Sequence, residues 1–179
     1  MFHPESINHC GAQYSLGHLN RALAEFRWKT AEKVEVTYSV RIDYSTHCYS
    51  DAGLPRVAGS YIVNDGSSDR IFCPSRHEYS LHLPQIVDGL FAKPTTSVAL
   101  ATTGNWFVYR LTMAPALPQG EIYYVFFRMH PSPVGTWKDG AINLDLYVES
   151  AYSRANPVAS AARMPFGKAV ERRMADLSL

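Results

Sequence analysis

The chain has 179 residues, 46% of them apolar and 18% charged, with a formal net charge of +1. The length suits one domain with a sizeable core, and the composition excludes both an intrinsically disordered chain and a coiled coil. The near-neutral balance lacks the overall basicity of a dedicated nucleic-acid binder, and the 12% aromatic content suits β-structure.

Cys10, Cys48 and Cys73 are an odd, small set that argues against a disulfide framework. The N-terminal stretch lacks the basic and apolar regions of a secretory signal, and no apolar run is long enough to cross a bilayer. A cytoplasmic protein with reduced thiols is expected.

Residues 15–28 place Leu16, Leu19, Leu23 and Phe26 at helical spacing, with Ser15 able to cap, so a helix is expected there. From Val34 the pattern changes to strict alternation. Val34, Val36, Tyr38, Val40, Ile42 and Tyr44 share one face, while Glu35, Thr37, Ser39, Arg41, Asp43 and Ser45 share the other, which predicts a half-buried strand. Val57–Val63 and Arg70–Cys73 read as strands joined by a hairpin at Asp65-Gly66. Pro84, Ile86, Val87, Leu90 and Phe91 predict a short helix over 83–92 that Lys93-Pro94 stops.

Strands follow at Ser97–Thr102, Trp106–Met113 and Ile122–Met129. After a Pro/Gly loop over Pro131–Gly140, alternation returns in Ile142, Leu144, Leu146 and Val148. Short connections favour antiparallel pairing. The fold class expected is α+β, a twisted, mostly antiparallel sheet of about six or seven strands with two or three helices. Residues 1–153 read as the domain. Residues 154–179 read as a basic extension with a short helix over 166–176, holding Arg154, Arg163, Lys168, Arg172 and Arg173 against Glu171 and Asp176.

There is no Gly-rich phosphate loop, nucleophile elbow, His-Glu-x-x-His or Cys-x-x-Cys motif, and no cofactor is expected. The densest chemistry lies between Arg70 and His82, where Arg70, Arg76, His77, Tyr79 and His82 sit within thirteen residues; the first long strand ends in Thr46-His47-Cys48. Two histidines as acid and base, with two arginines on phosphate, are what RNA cleavage through the 2′-hydroxyl asks for. The same region also offers Cys73, His77, His47 and Cys48 as four possible zinc ligands, although their spacing matches no closed zinc module. Tyr147, Glu149, Tyr152 and Arg154 could line a concave sheet surface, although such tyrosines usually pack on their neighbours. The five basic residues of the C-terminal segment could grip a phosphate backbone, or form an ordinary charged face. Trp106, Phe107, Tyr123, Phe126, Phe127 and Trp137 read as core or as an interaction surface.

Two stretches carry a resemblance. Arg70-Ile-Phe-Cys-Pro-Ser-Arg-His-Glu-Tyr-Ser-Leu-His-Leu-Pro-Gln-Ile86, and Tyr124-Val-Phe-Phe127 with Val148-Glu-Ser-Ala-Tyr152, resemble small prophage-borne proteins labelled heat-shock protein C or stationary-phase growth adaptation protein. That likeness implies a phage or mobile-element context and carries over no catalytic residues. The run of strands before a basic tail also resembles ribonuclease toxins of the RelE and BrnT type, at the level of fold alone, in a longer and less basic chain.

Two functions follow as expectations. The first is a phage-type cytoplasmic protein that binds and modulates a host protein complex, such as a defence system, or an antitoxin-like partner. The second is a metal-independent ribonuclease-like effector with His47 and His77 as acid and base, Arg70 and Arg76 on the phosphate, and Tyr79 positioning. A zinc-stabilised structural protein is a third. No membrane partner is expected, and no oligomeric state is indicated.

Overall fold

A computed structural model describes residues 3–66, 68–102, 104–132 and 142–175. Trp137 and most of the Pro131–Gly140 loop lie outside the described residues. In chain order, the elements are β1 (Ser6–His9), β2 (Ala12–Ser15), β3 (Ala22–Lys29), β4 (Glu35–Tyr44), β5 (Ser50–Asp51), β6 (Ile62–Asn64) and β7 (Asp69–Phe72). Then come α1 (Pro74–Ser80), α2 (Leu83–Ala92), β8 (Ser97–Ala101), β9 (Trp106–Arg110), β10 (Ile122–Pro131), β11 (Leu144–Arg154), β12 (Ser160–Pro165) and α3 (Phe166–Met174). The protein is α+β. Its main sheet has seven strands in the order β12-β8-β9-β10-β11-β4-β3, beside the small sheets β1-β2 and β5-β7-β6.

All pairings in the main sheet are antiparallel except β4 with β11, which run parallel from Val40↔Leu144 to Tyr44↔Val148. The short connections that favour antiparallel neighbours do not apply to this pair, because about half the chain separates its two strands. Tyr38, Val40, Ile42 and Tyr44 of β4 and Leu144, Leu146 and Val148 of β11 face the core, as the alternation predicts.

The segment expected to be an N-terminal helix is instead a 3-10 turn, Gly17–Leu19, followed by β3. Leu16 and Leu19 are buried around the turn, whereas Leu23 points to solvent. In β3, Ala24, Phe26 and Trp28 turn inward and Glu25, Arg27 and Lys29 outward, so the period is two. The strand expected over Val57–Val63 is reduced to β6. The hairpin β6–β7 turns at Asp65-Gly66, where Gly66 takes φ +90°. A second hairpin, β1–β2, turns at Cys10-Gly11 with both residues at positive φ. The helix expected over 83–92 forms as α2.

The core lies between one face of the main sheet and α2 and α3. Phe26 stacks on Tyr38 at 5.1 Å and on Phe91 at 5.6 Å, and Phe166 meets Phe26, Phe91 and Phe127 at 5.3–6.2 Å. Residues after 154 supply the edge strand β12 and α3, whose Phe166, Gly167, Ala169 and Val170 are buried. Trp106, Phe107, Tyr123, Phe126 and Phe127 are all buried in the sheet. No helix among the described residues is long and apolar enough to cross a membrane.

His77 belongs to this packing. It is buried on α1, its Nε2 lies 2.7 Å from the Ser15 carbonyl, and its ring contacts those of Tyr14, His18 and Phe72. His18 Nε2 reaches Ser80 Oγ at 2.9 Å, and that hydroxyl donates to the His77 carbonyl at 2.7 Å. The two histidines thereby fasten the β1–β2 hairpin and the 3-10 turn to α1.

Two predictions follow from this packing. A methyl group on Gly167 would sit 2.2 Å from Trp28 Cε3 and 2.3 Å from Cδ2, and the Trp28 indole is itself tied to Glu171 at 3.1 Å. Gly167→Ala should therefore lower stability by about 2–3 kcal/mol, read as a shifted urea midpoint; an unshifted midpoint would show that α3 does not pack on Trp28 this closely. The second concerns pH. Burial, then the neighbouring His77 and His3, lower His18 to about 4, and burial also lowers His3. The unfolded chain takes up these protons near pH 6.5 and the folded chain resists them, so stability is complete above that pH and falls as pH drops towards 4. Since His18 is half-exposed and partly screened, its share is about 2 kcal/mol. Urea unfolding at several pH values should show this slope, and His18→Gln should flatten it.

Candidate functional site

The parallel pairing brings the end of β4 beside the middle of β11. Ser45 donates its N–H to the Val148 carbonyl at 2.8 Å, and the chain then enters a second 3-10 turn, Thr46–Cys48, capped by Ser45 Oγ accepting from the His47 N–H. This turn aims His47 away from the core. Across from it, the β10–β11 register slips: Phe126 pairs with Ser150 and Phe127 with Val148, which leaves Glu149 unopposed. The bulge interrupts the alternation, so Tyr147, Glu149 and Ser150 all reach the same cleft.

That cleft has a volume of about 410 Å³. His47 Nε2 lies 2.9 Å from Asp65 Oδ2, at the β6–β7 turn, and Asp65 Oδ1 accepts the Ser68 N–H at 2.8 Å. The carboxylate is thus fixed and orients the imidazole, an arrangement common to acid–base sites. Glu149 is held by Asn105 Nδ2 and by the Arg128 guanidinium, which lies 6.0 Å from the Tyr147 ring centroid. Arg128 is 48% exposed at the mouth of the cleft. Thr46 Oγ1, in the wall, is buried with no hydrogen bond among the described residues. A buried hydroxyl left unpaired costs about 1–3 kcal/mol. The cleft therefore unites an oriented imidazole, a carboxylate, a guanidinium and a phenol. A larger cleft of about 550 Å³ between α2 and the chain after β9 offers less chemistry, because His82 Nε2 there is engaged by the Ala114 carbonyl.

Of the residues expected from sequence, His47 is in the cleft and His77 does not line it. Arg70 donates to Ser50 Oγ and to the Ser50 carbonyl, both at 3.0 Å. Arg76 donates to the same carbonyl at 2.9 Å, to the His47 carbonyl at 3.3 Å and to Asp51 at 2.6 Å, and lies over the Tyr152 ring. Both arginines hold the chain around β5, and burial, then the neighbouring Arg76, lowers the basicity of Arg70. Tyr79 is buried and donates to the Ala116 carbonyl at 3.2 Å.

The four residues considered for zinc do not assemble. No group of three or more His, Cys, Asp or Glu among the described residues is placed to hold a metal ion. Burial pushes the Cys48 thiol up to about 12, and its Sγ rests near the Val148 carbonyl, while Cys73 Sγ contacts Ser75 Oγ at 3.3 Å. The basic residues after 153 are also spread out. Arg154 ends β11 and Arg163 is exposed on β12. Lys168 pairs with Glu171 at 3.1 Å, Arg173 donates to the Met129 carbonyl at 2.9 Å, and Arg172 is half-buried on α3.

Sequence reasoning missed Asp65 and Arg128, and found Tyr147 and Glu149 only as a possible concave surface. Asp65 reads as an ordinary turn residue. Arg128 had a usable signal, as a lone charge closing the apolar run Ile122–Phe127. The bulge had one too: the inward alternation Leu144, Leu146, Val148 resumes at Ala151, one residue out of phase.

No match was found among curated proteins or among solved structures. A family model described as the YjaZ family matches residues 6–173, nearly the whole length, and the chain belongs to that family.

Proposed function

We propose that the protein cleaves RNA by acid–base chemistry in the cleft between the end of β4 and the bulge of β11. The observation that supports this is the convergence of His47–Asp65 and Glu149–Arg128 in one concave site. Glu149 takes the proton of a 2′-hydroxyl, whose oxygen forms a bond to phosphorus. The bond from phosphorus to the 5′-oxygen breaks, and protonated His47 gives that oxygen its proton, leaving a 2′,3′-cyclic phosphate and a 5′-hydroxyl. Arg128 stabilises the charge that builds on the phosphate, and Tyr147 positions the substrate. Asp65 is a positioning residue that holds the imidazole and compensates its charge. Compared with the reading from sequence, His47 keeps its role, and Glu149, Arg128 and Tyr147 replace His77, Arg70, Arg76 and Tyr79. The resemblance to prophage-borne proteins supports a setting in which such an effector acts in the host cytoplasm.

A second reading, that the protein binds and modulates a host complex, is favoured by β3. That eight-residue edge strand is paired within the main sheet only to β4, and an extended segment of a partner could add to its open side.

Incubation with single-stranded RNA should give cyclic-phosphate ends. Glu149→Gln and His47→Ala should each slow cleavage about 10²–10⁴-fold with little change in melting temperature. Cleavage that both variants retain would overturn the assignment. Stoichiometric capture of a host protein that Leu23→Pro abolishes, with no RNA cleavage, would establish the second reading instead.

A further inference from the structure

The alternation of β9 turns Trp106, Val108 and Arg110 to the same side of the sheet. The first two are buried in the core, and Arg110 emerges against α2, in the cleft of about 550 Å³ between that helix and the chain after β9. One wall of this cleft is a single stripe of the helix, because His82, Gln85, Ile86 and Gly89 follow the spacing i, i+3, i+4 and i+7. The other wall is the chain from Arg110 to Ala114. Two contacts pin that chain to the helices: the Ala114 carbonyl accepts from His82 Nε2, and the Tyr79 hydroxyl donates to the Ala116 carbonyl at 3.2 Å. The cleft is therefore preformed.

Gly89 keeps one part of the helical stripe bare. Glycine is a poor residue inside a helix, where alanine loses less backbone freedom. Packing does not require it here. Outside the helix backbone and the chain neighbours, the one atom within 4 Å of an added Cβ is Arg110 Nη2, at 3.8 Å, an ordinary contact. A methyl group would fit, and a longer side chain would take the space in front of the guanidinium. The rest of the lining divides by chemistry. Ile86 is buried and Met113 half-buried, which gives the cleft an apolar part, while Gln85 and Thr112 are exposed and bring an amide and a hydroxyl as donors. The described lining holds no acidic side chain, and Arg110 is its one permanent cation. A guanidinium fork beside neutral donors matches the two oxygens and single charge of a carboxylate. A phosphate monoester, with nearly two charges, would leave much of its charge uncompensated there.

We infer that this cleft binds a carboxylate bearing an apolar side arm, with the carboxylate on Arg110 and the arm on Ile86 and Met113. A free acid of that type and the C-terminal residue of a peptide present the same two groups. The site is separate from His47 and Glu149 and does not depend on the cleavage reading.

Titration of the isotope-labelled full chain with N-acetyl-leucine should shift the amide signals of Gln85, Gly89 and Thr112 saturably, with a Kd on the order of 1 mM for a ligand of this size. N-acetyl-leucine amide, which lacks the charge, should give no saturable shift. A peptide of about six residues ending in leucine separates the two sources: tighter binding than N-acetyl-leucine identifies a chain terminus, and equal or weaker binding a free acid. Arg110→Gln should weaken binding of the acid roughly tenfold, and Arg110→Lys, which keeps the charge and loses the fork, should fall between. Gly89→Leu should abolish binding with an unchanged far-ultraviolet circular dichroism spectrum, whereas Gly89→Ala should raise the urea midpoint and retain binding. Absence of saturable shifts with every acid, equal binding of acid and amide, or parent affinity in both Arg110→Gln and Gly89→Leu would overturn the site. Tighter binding of phenyl phosphate than of N-acetyl-leucine would overturn the carboxylate assignment.

Discussion

The parallel register of β4 against β11 is the constraint on which the rest of the structure depends. It joins strands far apart in sequence, buries Tyr44 beside Val148, and stops where Ser45 donates to the Val148 carbonyl. Beyond that point the two strands part. One enters the turn carrying His47, and the other bulges at Glu149. A strand and its neighbour that diverge at the middle of a sheet leave a concavity in the face they share, and the β6–β7 hairpin supplies Asp65 to that concavity. Were the register shifted by one residue, the inward row of β11 would face solvent and Glu149 would turn to the core.

The features that local periodicity encodes were legible in the sequence. The long alternation of β4, the helix α2 with its Pro84 start, the β6–β7 hairpin and most strands of the main sheet are each specified by a dozen residues or fewer. The N-terminal segment misled because two periods overlap in it. Leu16 and Leu19 pack around a short turn and Phe26 packs from a strand, and their spacing coincides with a helix that does not form. The inward residues of β3 are only Ala24, Phe26 and Trp28, too few to outweigh the coincidence. The parallel pair was illegible for another reason: it is a long-range contact whose partners carry no local mark.

The site was legible in residue type more than in place. The Arg/His-rich stretch after β7 does concentrate polar chemistry, but most of it serves the fold. The β1–β2 hairpin has little core of its own, and His77 with His18 replaces apolar contact by hydrogen bonds to Ser15 and Ser80 and by ring packing on Tyr14 and Phe72. With its Nε2 committed to the Ser15 carbonyl and its ring buried, His77 has no open approach to a substrate, which a proton shuttle needs. His47, by contrast, is on a capped turn with one ring nitrogen committed to Asp65 and the side chain 38% exposed.

The same comparison of magnitudes separates the arginines. Arg70 and Arg76 both donate to the carbonyl of Ser50, a residue with no solvent exposure. Turning both to a ligand would strand that buried acceptor, at a cost of about 1–3 kcal/mol before any binding begins. Arg128 is bound to Glu149 at the mouth of a cleft and is 48% exposed, and such a pair contributes about 0–1 kcal/mol. Exchanging part of that contact for a phosphate oxygen costs little and releases the Glu149 carboxylate to take up a proton. The ranking of arginines by what each would leave unpaired therefore runs opposite to their ranking by density in the sequence. The stretch richest in arginine and histidine holds the cations the fold can least release.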